Sequence, residues 1–253
     1  MSFQLQAFKE NITANKIKKR LMKRIILITG SNRGLGNATG LKLCEMGHEV
    51  IFTSRNLKSL DETKAKVHDK GYTAGFYELD VKDKKSIQNL KTEIEKKYNH
   101  LDTLINNAGI LNDRNDSILD VDQTLVEDTM NTNLYSPLFM IQNFKDLLKK
   151  STNGIIVNIS SVLGQLENMT TGMPSYRISK CALNAITKVA SEELKAFNIK
   201  VNSIHPGWVR TDMGGSEASL SIDDSVPGLV WAATLDQDGP TGKFFFNQKE
   251  IPW

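Results

Sequence analysis

Residues 24–36 read RIILITGSNRGLG, a continuous apolar run followed at once by a turn that contains three glycines. A short apolar run bounded by glycine is typical of a strand buried on both faces of a parallel sheet. The apolar residues after the turn recur with helical spacing, so the order is strand, glycine-rich turn and helix. A dinucleotide site requires that order, because residues without a Cβ let a pyrophosphate approach the backbone at a helix N-terminus. The spacing GxxxGxG also fits a plain tight turn.

The rest of the chain alternates in the same way between apolar runs and amphipathic runs. The predicted strands cover residues 24–29, 49–54, 73–79, 101–105, 154–161, 199–204 and 242–246. The predicted helices begin after the glycine turn and then cover residues 57–70, 82–98, 122–149 and 176–197. This alternation predicts an α/β fold, a single-domain Rossmann fold over residues 24–253. About seven strands form a doubly wound parallel sheet in this prediction, with helices on both faces.

Two segments stand apart from this alternation. Residues 1–23 are rich in lysine and carry a few apolar residues, and they are interpreted as a basic N-terminal extension. The alternatives are an amphipathic helix that docks on the body or on a second subunit, a loose arm, or a poor targeting sequence. Residues 211–226 are rich in Gly, Ser, Asp and Glu, and they are predicted to form a mobile flap.

Small and polar residues follow the ends of several predicted strands. Gly30, Asn107, Ser161 and Pro206 each stand at such a position. Because the carboxyl ends of parallel strands meet at one edge of the sheet, we expect these residues to gather where such folds bind ligands. Asn133 lies inside a predicted helix, where asparagine is mildly unfavourable, and on its own it is interpreted as a surface residue.

The end of the second predicted strand indicates which dinucleotide is bound. An acidic residue there would bind a ribose 2′-hydroxyl, whereas an arginine accommodates a 2′-phosphate. This chain has Ser54 and Arg55 at that point and no acid, and Arg33 in the glycine turn is a second cation. Two guanidinium groups near one place favour an anionic partner, so NADP is predicted rather than NAD. The alternative is that both arginines are solvated surface charges.

Tyr176 and Lys180 are four residues apart in a predicted helix, which places them on one helix face. A nearby ammonium group favours the phenolate, so Lys180 is expected to lower the pKa of Tyr176. A tyrosine with a lowered pKa can exchange a proton near neutral pH. The YxxxK pattern alone is weak, because a half-buried tyrosine beside a solvated lysine fits it equally well.

The composition limits the classes of partner. A net charge of +3, 40% hydrophobic and 24% charged residues are ordinary for a globular protein, so neither nucleic acid nor a membrane is an expected partner. No apolar run is long enough to cross a bilayer, and a cytoplasmic location is expected. Cys44 and Cys181 are interpreted as reduced, buried thiols.

Taken in order, the motifs resemble the short-chain dehydrogenase/reductase family over residues 24–253. The matching residues are Thr29-Gly30 with Gly34 and Gly36, Asp80, Asn106-Asn107-Ala108-Gly109, Asn133, Ser161, Tyr176 with Lys180, and Pro206-Gly207 with Thr211. The segments TGSNRGLG, HPGWVRTDMGG and KFFF with IPW are similar to those of the carbonyl-reductase and C-factor-like members. The resemblance implies an NADPH-dependent reductase that transfers hydride to the carbonyl of a small ketone, aldehyde or quinone, and reversibly oxidises alcohols.

The resemblance also assigns roles to residues. It implies a catalytic set of Asn133, Ser161, Tyr176 and Lys180, with the phenol as general acid, Ser161 on the substrate carbonyl and Asn133 holding a water that relays protons to Lys180. Asp80 and Val81 would border the adenine, and Thr211 with the Val209 backbone would hold the carboxamide. The implied cofactor-binding residues are Gly30, Ser31, Asn32, Arg33, Gly34, Leu35, Gly36, Arg55, Asp80, Val81, Asn107, Ala108, Gly109, Tyr176, Lys180, Pro206, Gly207, Val209 and Thr211. No metal is implied.

Departures from the family pattern leave the substrate open. Ser161 and Tyr176 are separated by two more residues than in many members, which places an insertion between Gly164 and Pro174 beside the substrate. Ser160 is an alternative to Ser161 as the serine at the substrate. A dinucleotide-binding regulatory or signalling protein on the same fold is the alternative function, and a homodimer or homotetramer is compatible with the family.

Overall fold

The computed structural model describes residues 23–253. Residues 1–22, which make up nearly all of the predicted basic extension, lie outside the described residues. The described strands form one eight-stranded sheet in the order β3-β2-β1-β4-β5-β6-β7-β8. The strands are β1 Ile25–Ile28, β2 Glu49–Ser54, β3 Ala74–Glu78, β4 Thr103–Asn106, β5 Gly154–Ile159, β6 Ile199–His205, β7 Phe244–Phe246 and β8 Lys249–Ile251.

The first seven strands pair in parallel, and β8 pairs with β7 in antiparallel orientation. The parallel α/β sheet is therefore confirmed, and the eighth strand was missed. A two-residue turn, Asn247 and Gln248, joins β7 to β8, and both residues have positive φ values of 45° and 65°. Such turns usually contain glycine, and its absence removed the sequence signal for a hairpin.

Helices cover both faces of the sheet. They are α1 Gly34–Glu45, α2 Asp61–Asp69, α3 Lys84–Lys97, α4 Gln123–Met130, α5 Ser136–Lys149, α6 Pro174–Leu194 and α7 Ile222–Ala233. A 3₁₀ turn, Leu57–Leu60, precedes α2, and a π-helical turn, Asn131–Tyr135, joins α4 to α5. The predicted helix 122–149 is therefore continuous in direction but changes its hydrogen bonding at Asn131–Tyr135.

The predicted flap at 211–226 is wrong in its last part. Helix α7 begins at Ile222, and Ser221 caps it with a capping box in which Ser221 and Asp224 bond each other's backbone N–H groups. Polar residues at a helix start are capping signals as well as loop signals, and the composition alone favoured the loop.

Two apolar clusters, one on each face of the sheet, fix the strands in place. Alternate residues of β1 divide between them, with Ile26 and Ile28 in one cluster and Leu27 in the other. All three are fully buried. A strand buried on both faces explains the unbroken apolar run at the start of the sheet.

The strand order reverses direction between β1 and β4, which opens a crevice at the carboxyl ends of the strands. Hydrogen bonds of Thr29 connect the ends of β1 and β4 at this point. The Thr29 N–H donates to Ile105 O at 3.0 Å, and the Asn107 N–H donates to Thr29 Oγ1 at 3.0 Å. The candidate site lies along this crevice.

Candidate active site

The glycine-rich turn forms a cradle that side chains would fill. Gly30 and Gly34 have φ values of +61° and +58°, a region that favours glycine. A Cβ on Gly36 would collide with Asn107 Nδ2 and lie 2.9 Å from Gly30 O. Asn107 Nδ2 itself donates to Thr29 O at 2.9 Å and to Gly30 O at 2.8 Å. Asn107 therefore holds the backbone of the turn in place, and its amide lies so close to Gly36 that no larger residue fits at that position.

Two residues of this turn differ in their exposure. Ser31 is fully buried, and its hydroxyl donates to Ile28 O at 3.1 Å and accepts from Thr53 N at 2.9 Å. Its side chain ties β1 to β2 and does not line the crevice. Arg33 is exposed, and its Nη1 lies 2.5 Å from Asp212 Oδ2.

The other residues predicted for the adenosine end follow the tips of β2 and β3. Arg55 is exposed directly after β2, and the preceding Ser54 hydroxyl bonds Ser59 Oγ at 2.7 Å. Asp80 Oδ1 accepts from Lys82 N at 2.9 Å, and Val81 is buried beside it. The end of β2 thus carries the exposed guanidinium of Arg55 and no carboxylate, while Arg33 is paired with Asp212.

Tyr176 and Lys180 lie in the first two turns of α6, and both are buried, with 8% and 5% of their surfaces exposed. The Lys180 Nζ atom lies 5.5 Å from the centroid of the Tyr176 ring and donates to Ile159 O at 2.8 Å. Burial raises the pKa of Tyr176 to about 12, while the Ser161 hydroxyl opposes the rise. Burial also lowers the pKa of Lys180 to about 8.

The expectation that Lys180 lowers the pKa of Tyr176 is therefore wrong for the protein alone. Removal of the phenol from water disfavours its charged form more strongly than the neighbouring groups favour it. The YxxxK spacing indicated the proximity correctly, but it carried no information on burial.

Ser160 and Ser161 face in different directions after β5. The Ser160 hydroxyl donates to the backbone carbonyl oxygen Lys180 O at 3.3 Å, so it connects the end of β5 to the backbone of α6. The Ser161 hydroxyl accepts from Leu163 N at 3.1 Å and lies against the Tyr176 phenol, where it favours the phenolate. The structure therefore favours Ser161 over Ser160 as the serine beside Tyr176.

Asn133 is fully buried in the π-helical turn, so its interpretation as a surface residue is wrong. Its Oδ1 accepts from Ile110 N at 2.8 Å, and its Nδ2 donates to Ile110 O at 2.9 Å and to Ser179 Oγ at 3.1 Å. A Cβ on Gly109 would lie 3.3 Å from Asn133 Oδ1 and 3.7 Å from Lys180 Nζ. Asn133 thus holds the Gly109–Ile110 backbone next to Lys180.

The segment after β6 closes over the glycine turn. Gly207 has a φ of +90°, and Val209 is buried and forms a bridge with Leu220. The Thr211 methyl group lies 3.7 Å from the position of a Cβ on Gly34. Arg114, on the opposite side, donates to Met213 O at 2.6 Å. This segment therefore forms a strap across the crevice, and Pro206 lies at the point where it begins.

The inserted loop between Gly164 and Pro174 is held at both ends. Gln165 Nε2 donates to Pro252 O at 2.6 Å. Arg177, which is buried, donates from Nε to Gly172 O at 2.9 Å and from Nη2 to Thr170 Oγ1 at 2.8 Å. Sequence reasoning missed Arg177 and Ser179, because nothing in a helical sequence shows which side chain reaches back to a loop.

Large apolar side chains are exposed on three segments that follow the strand ends. They are Ile118 and Leu119 after β4, Leu166 in the inserted loop, and Trp208 with Met213 on the strap. Surface of this kind around a crevice is typical of sites for small organic molecules.

Other features lie apart from this site. A cavity of about 960 Å³ between α1 and α7, lined by Leu41, Met46, Val226 and Trp231 among others, contains none of the predicted site residues. Cys44 is buried and Cys181 is partly buried, and both are free thiols; burial raises the pKa of Cys44 to about 12. Within residues 23–253, no group of three or more His, Cys, Asp or Glu could hold a metal ion. No helix of the same residues is both long and apolar enough to cross a membrane.

Comparisons with known proteins agree with this geometry. The profile of the family described as short chain dehydrogenase matches residues 24–220. Human carbonyl reductase [NADPH] 1 is 28% identical over 279 residues, which cover 90% of this chain and 98% of the relative.

Two solved structures are similar over the whole fold. The NADPH-bound carbonyl reductase from chicken fatty liver is 30% identical with a TM-score of 0.84, covering 92% of this chain and 100% of that one. The carbonyl reductase Sniffer of D. melanogaster is 32% identical with a TM-score of 0.82, covering 91% and 100%. The sheet order, the glycine cradle, the buried Tyr176–Lys180 pair and these matches lead to one conclusion: this chain is an oxidoreductase of the short chain dehydrogenase family.

Proposed function

We propose that the protein is an NADPH-dependent reductase of small ketones, aldehydes or quinones, acting on the CH–OH/C=O couple with NADP as the redox partner. The observation that carries the proposal is that Tyr176, Ser161 and Lys180 meet at the end of the crevice that contains the glycine cradle. A phenol, a hydroxyl and an ammonium at one place provide a proton donor and donors for an oxygen that becomes negative.

The residues around the crevice fit a dinucleotide. The glycines of the turn leave a space beside Asn107 that a Cβ would fill. The Gly109 backbone approaches Lys180, and Arg55 is an exposed cation at the end of β2 where no acid stands. We assign the pyrophosphate to the turn Asn32–Gly36, the adenine to Asp80 and Val81, and the 2′-phosphate to Arg55 and Arg33. Asn107, Ala108 and Gly109 would line the middle, and the strap with Pro206, Gly207, Val209 and Thr211 the nicotinamide end.

The chemistry that NADPH supplies when bound is the transfer of a hydride to the carbonyl carbon. Tyr176 gives its phenolic proton to the carbonyl oxygen, so that the product is an alcohol. Ser161 donates to the same oxygen and orients it. Lys180 would hold the nicotinamide ribose through its ammonium group.

The proton-donating role of Tyr176 rests on its place beside Ser161 and Lys180. Burial raises the pKa of the phenol to about 12, so the phenol carries its proton at physiological pH. Both N–H groups of the Asn133 amide are used by Ile110 and Ser179, so we assign it to holding the backbone beside Lys180. The family resemblance also implies that Asn133 holds a water that relays protons to Lys180. These two side-chain N–H groups are already used, so another group of Asn133 would have to bind that water.

Three further assignments, on domain organisation, cellular location and assembly, accompany this proposal. We propose that residues 24–253 act as one unit with 1–23 as an extension, that the protein works in the cytoplasm, and that it forms a homodimer or homotetramer. Light scattering of the full chain and of a chain lacking residues 1–23 tests the assembly and the role of the extension together.

The test of the function is the oxidation of NADPH, and separately of NADH, in the presence of a diketone, a quinone and an aromatic aldehyde. We expect turnover with at least one of these activated carbonyls and a preference for NADPH. Tight NADPH binding without turnover on any of them would favour the dinucleotide-binding regulatory or signalling alternative.

A further inference from the structure

Helix α6 begins in a strained way for a helix that carries the proton donor. Met173, the residue before it, has a φ of 55°, and no side chain of the neighbouring sequence caps the first turn. The first N–H groups of a helix have no partner within the helix and need acceptors from elsewhere. Tyr176 is the third residue of α6, so the acceptor for this turn also determines where the phenol lies.

The acceptor comes from a distant part of the chain. Asp113 Oδ2 accepts from Ser175 N at 2.6 Å and from Tyr176 N at 3.1 Å, contacts that span 62 and 63 residues. Asp113 is fully buried, and its Oδ1 has no partner within the described residues. Removal of a carboxylate from water lowers the stability of the folded protein, so a buried aspartate is an unfavourable choice if its role is only to cap a helix.

The position of Asp113 connects the cap to the site. It belongs to the segment after β4 whose earlier residues, Gly109 and Ile110, are held by Asn133 beside Lys180. Its neighbour Arg114 binds the strap through Met213 O. Asp113 bonds the backbone N–H of Tyr176, and its charge raises the pKa of the Tyr176 phenol, whereas the charge of Arg114 lowers it.

We propose that Asp113 is a positioning residue for the reaction, which fixes the Tyr176 phenol by holding the backbone N–H group of Tyr176 itself. This inference rests on the proposed reductase function. Asp113 touches neither substrate nor cofactor in this assignment. Because the Asp113 side chain bonds the start of α6 rather than the glycine turn or the strap, we expect cofactor affinity to change little when this side chain is removed.

The experiment compares Asp113→Ala, which removes the acceptor, with Asp113→Asn, which keeps an oxygen in its place. The control is Asp122→Ala, because Asp122 caps α4 in a similar way, accepting from Thr124 N and Leu125 N, but does so on the exposed surface. For each variant the melting temperature, the NADPH Kd and the kcat for the best carbonyl of the panel are measured.

We expect Asp113→Ala to lose kcat by about tenfold to a hundredfold, since misplacement of a reacting group by about 1 Å has effects of that size. Its NADPH Kd should stay within about twofold, and Asp113→Asn should recover most of the lost kcat. Asp122→Ala should lose thermal stability without a loss of kcat.

Three results would overturn the inference: a folded Asp113→Ala that keeps wild-type kcat, an Asp113→Asn that is no better than Asp113→Ala, or an equal loss of kcat in Asp122→Ala. Should Asp113→Ala not fold, the kcat of Asp113→Asn decides alone, and a value below one tenth of wild type contradicts the proposal. Absence of turnover in the wild type, by contrast, would reject the reductase function and not the position of Asp113.

Discussion

The Nζ atom of Lys180 donates a 2.8 Å hydrogen bond to the carbonyl oxygen of Ile159, the last residue of β5. This bond anchors the lysine to the sheet while its ammonium stays close to Tyr176 and to the Gly109 backbone. A buried ammonium lowers stability unless its surroundings compensate for the lost water, and within residues 23–253 the Lys180 ammonium donates to one carbonyl oxygen. The lysine is therefore better explained by function than by stability.

Replacement of Lys180 by Met tests this explanation. We expect Lys180→Met to reduce kcat/KM by about a hundredfold or more, because a group that binds cofactor and supports proton transfer is lost. The melting temperature should stay within about 4 °C or rise, because an apolar side chain of similar volume removes the cost of burying a charge. Steady-state kinetics and thermal unfolding measure the two effects.

Lys200→Met is the matched control, because Lys200 is also buried but bonds Asn153 Oδ1 at 2.7 Å, away from the candidate site. It should keep its turnover. A large drop in the melting temperature of Lys180→Met would show instead that the Ile159 bond is a structural requirement.

The space around two helical glycines, Gly36 in the glycine turn and Gly228 in α7, predicts opposite effects of a substitution by alanine. Gly36→Ala should abolish NADPH binding, because its Cβ would collide with the Asn107 amide that holds the turn open. Gly228→Ala should be neutral or stabilise by about 0.5–1 kcal/mol, because Gly228 lies in α7 and an added Cβ meets nothing closer than 3.8 Å. Fluorescence titration with NADPH and thermal unfolding separate the two, and wild-type NADPH affinity in Gly36→Ala would exclude the turn as the pyrophosphate site.

Cofactor selectivity is expected to depend on Arg55. Arg55→Ala should weaken NADPH binding by about tenfold or more and leave NADH binding unchanged, because only NADPH carries the 2′-phosphate that a guanidinium binds. Lys58→Ala, an exposed lysine in the turn after β2, is the control. Equal losses for NADPH and NADH in Arg55→Ala would remove the basis for the 2′-phosphate assignment.

Stability is expected to fall in mild acid because of two histidines, of which His48 is buried and His205 is partly buried. Burial lowers the pKa of His205 to about 4 and also lowers the pKa of His48. Between the unfolded pKa of about 6.5 and the folded value, the unfolded state binds more protons, so the free energy of unfolding decreases as the pH falls. Each such histidine contributes up to about 1.4 kcal/mol per pH unit in that window.

Denaturant unfolding at pH 7, 6 and 5 measures this dependence. His205→Leu should show a smaller decrease than the wild type, since it removes the titrating imidazole. Within residues 23–253 the His205 Nδ1 has no hydrogen-bond partner that the substitution would remove, and a leucine can keep an apolar contact with Phe246. His68→Ala, a change on the surface, should follow the wild type. An unchanged pH dependence in His205→Leu would contradict the assignment.

The parts of the structure that the sequence predicted well are those set by local residues. The bounds of β2 are those expected, and the glycine turn lies between β1 and α1 as predicted. Both features depend on residues close together in the sequence, because an apolar run determines a buried strand and glycines determine a tight turn. Asn133 was misplaced because its partners, Ile110 and Ser179, are 23 and 46 residues away.

The same limit applies to energies. The pKa of Tyr176 was expected to be low from the spacing to Lys180, but burial, which depends on the whole fold, raised it. Asp113 gave no signal at all, since a single aspartate in a loop becomes a cap only when a helix starting at Pro174 reaches it. Long-range contacts, rather than helix and strand bounds, account for most of what was missed.

The most direct test of the account is the turnover and NADPH affinity of Tyr176→Phe, with Tyr135→Phe, an exposed tyrosine on the π-helical turn, as control. The account predicts that Tyr176→Phe binds NADPH with wild-type affinity and loses at least about 99% of kcat, since removal of a general acid costs on the order of a hundredfold or more. Tyr135→Phe should be as active as the wild type. Substantial turnover by Tyr176→Phe would show that the proton comes from elsewhere, and would contradict the central claim.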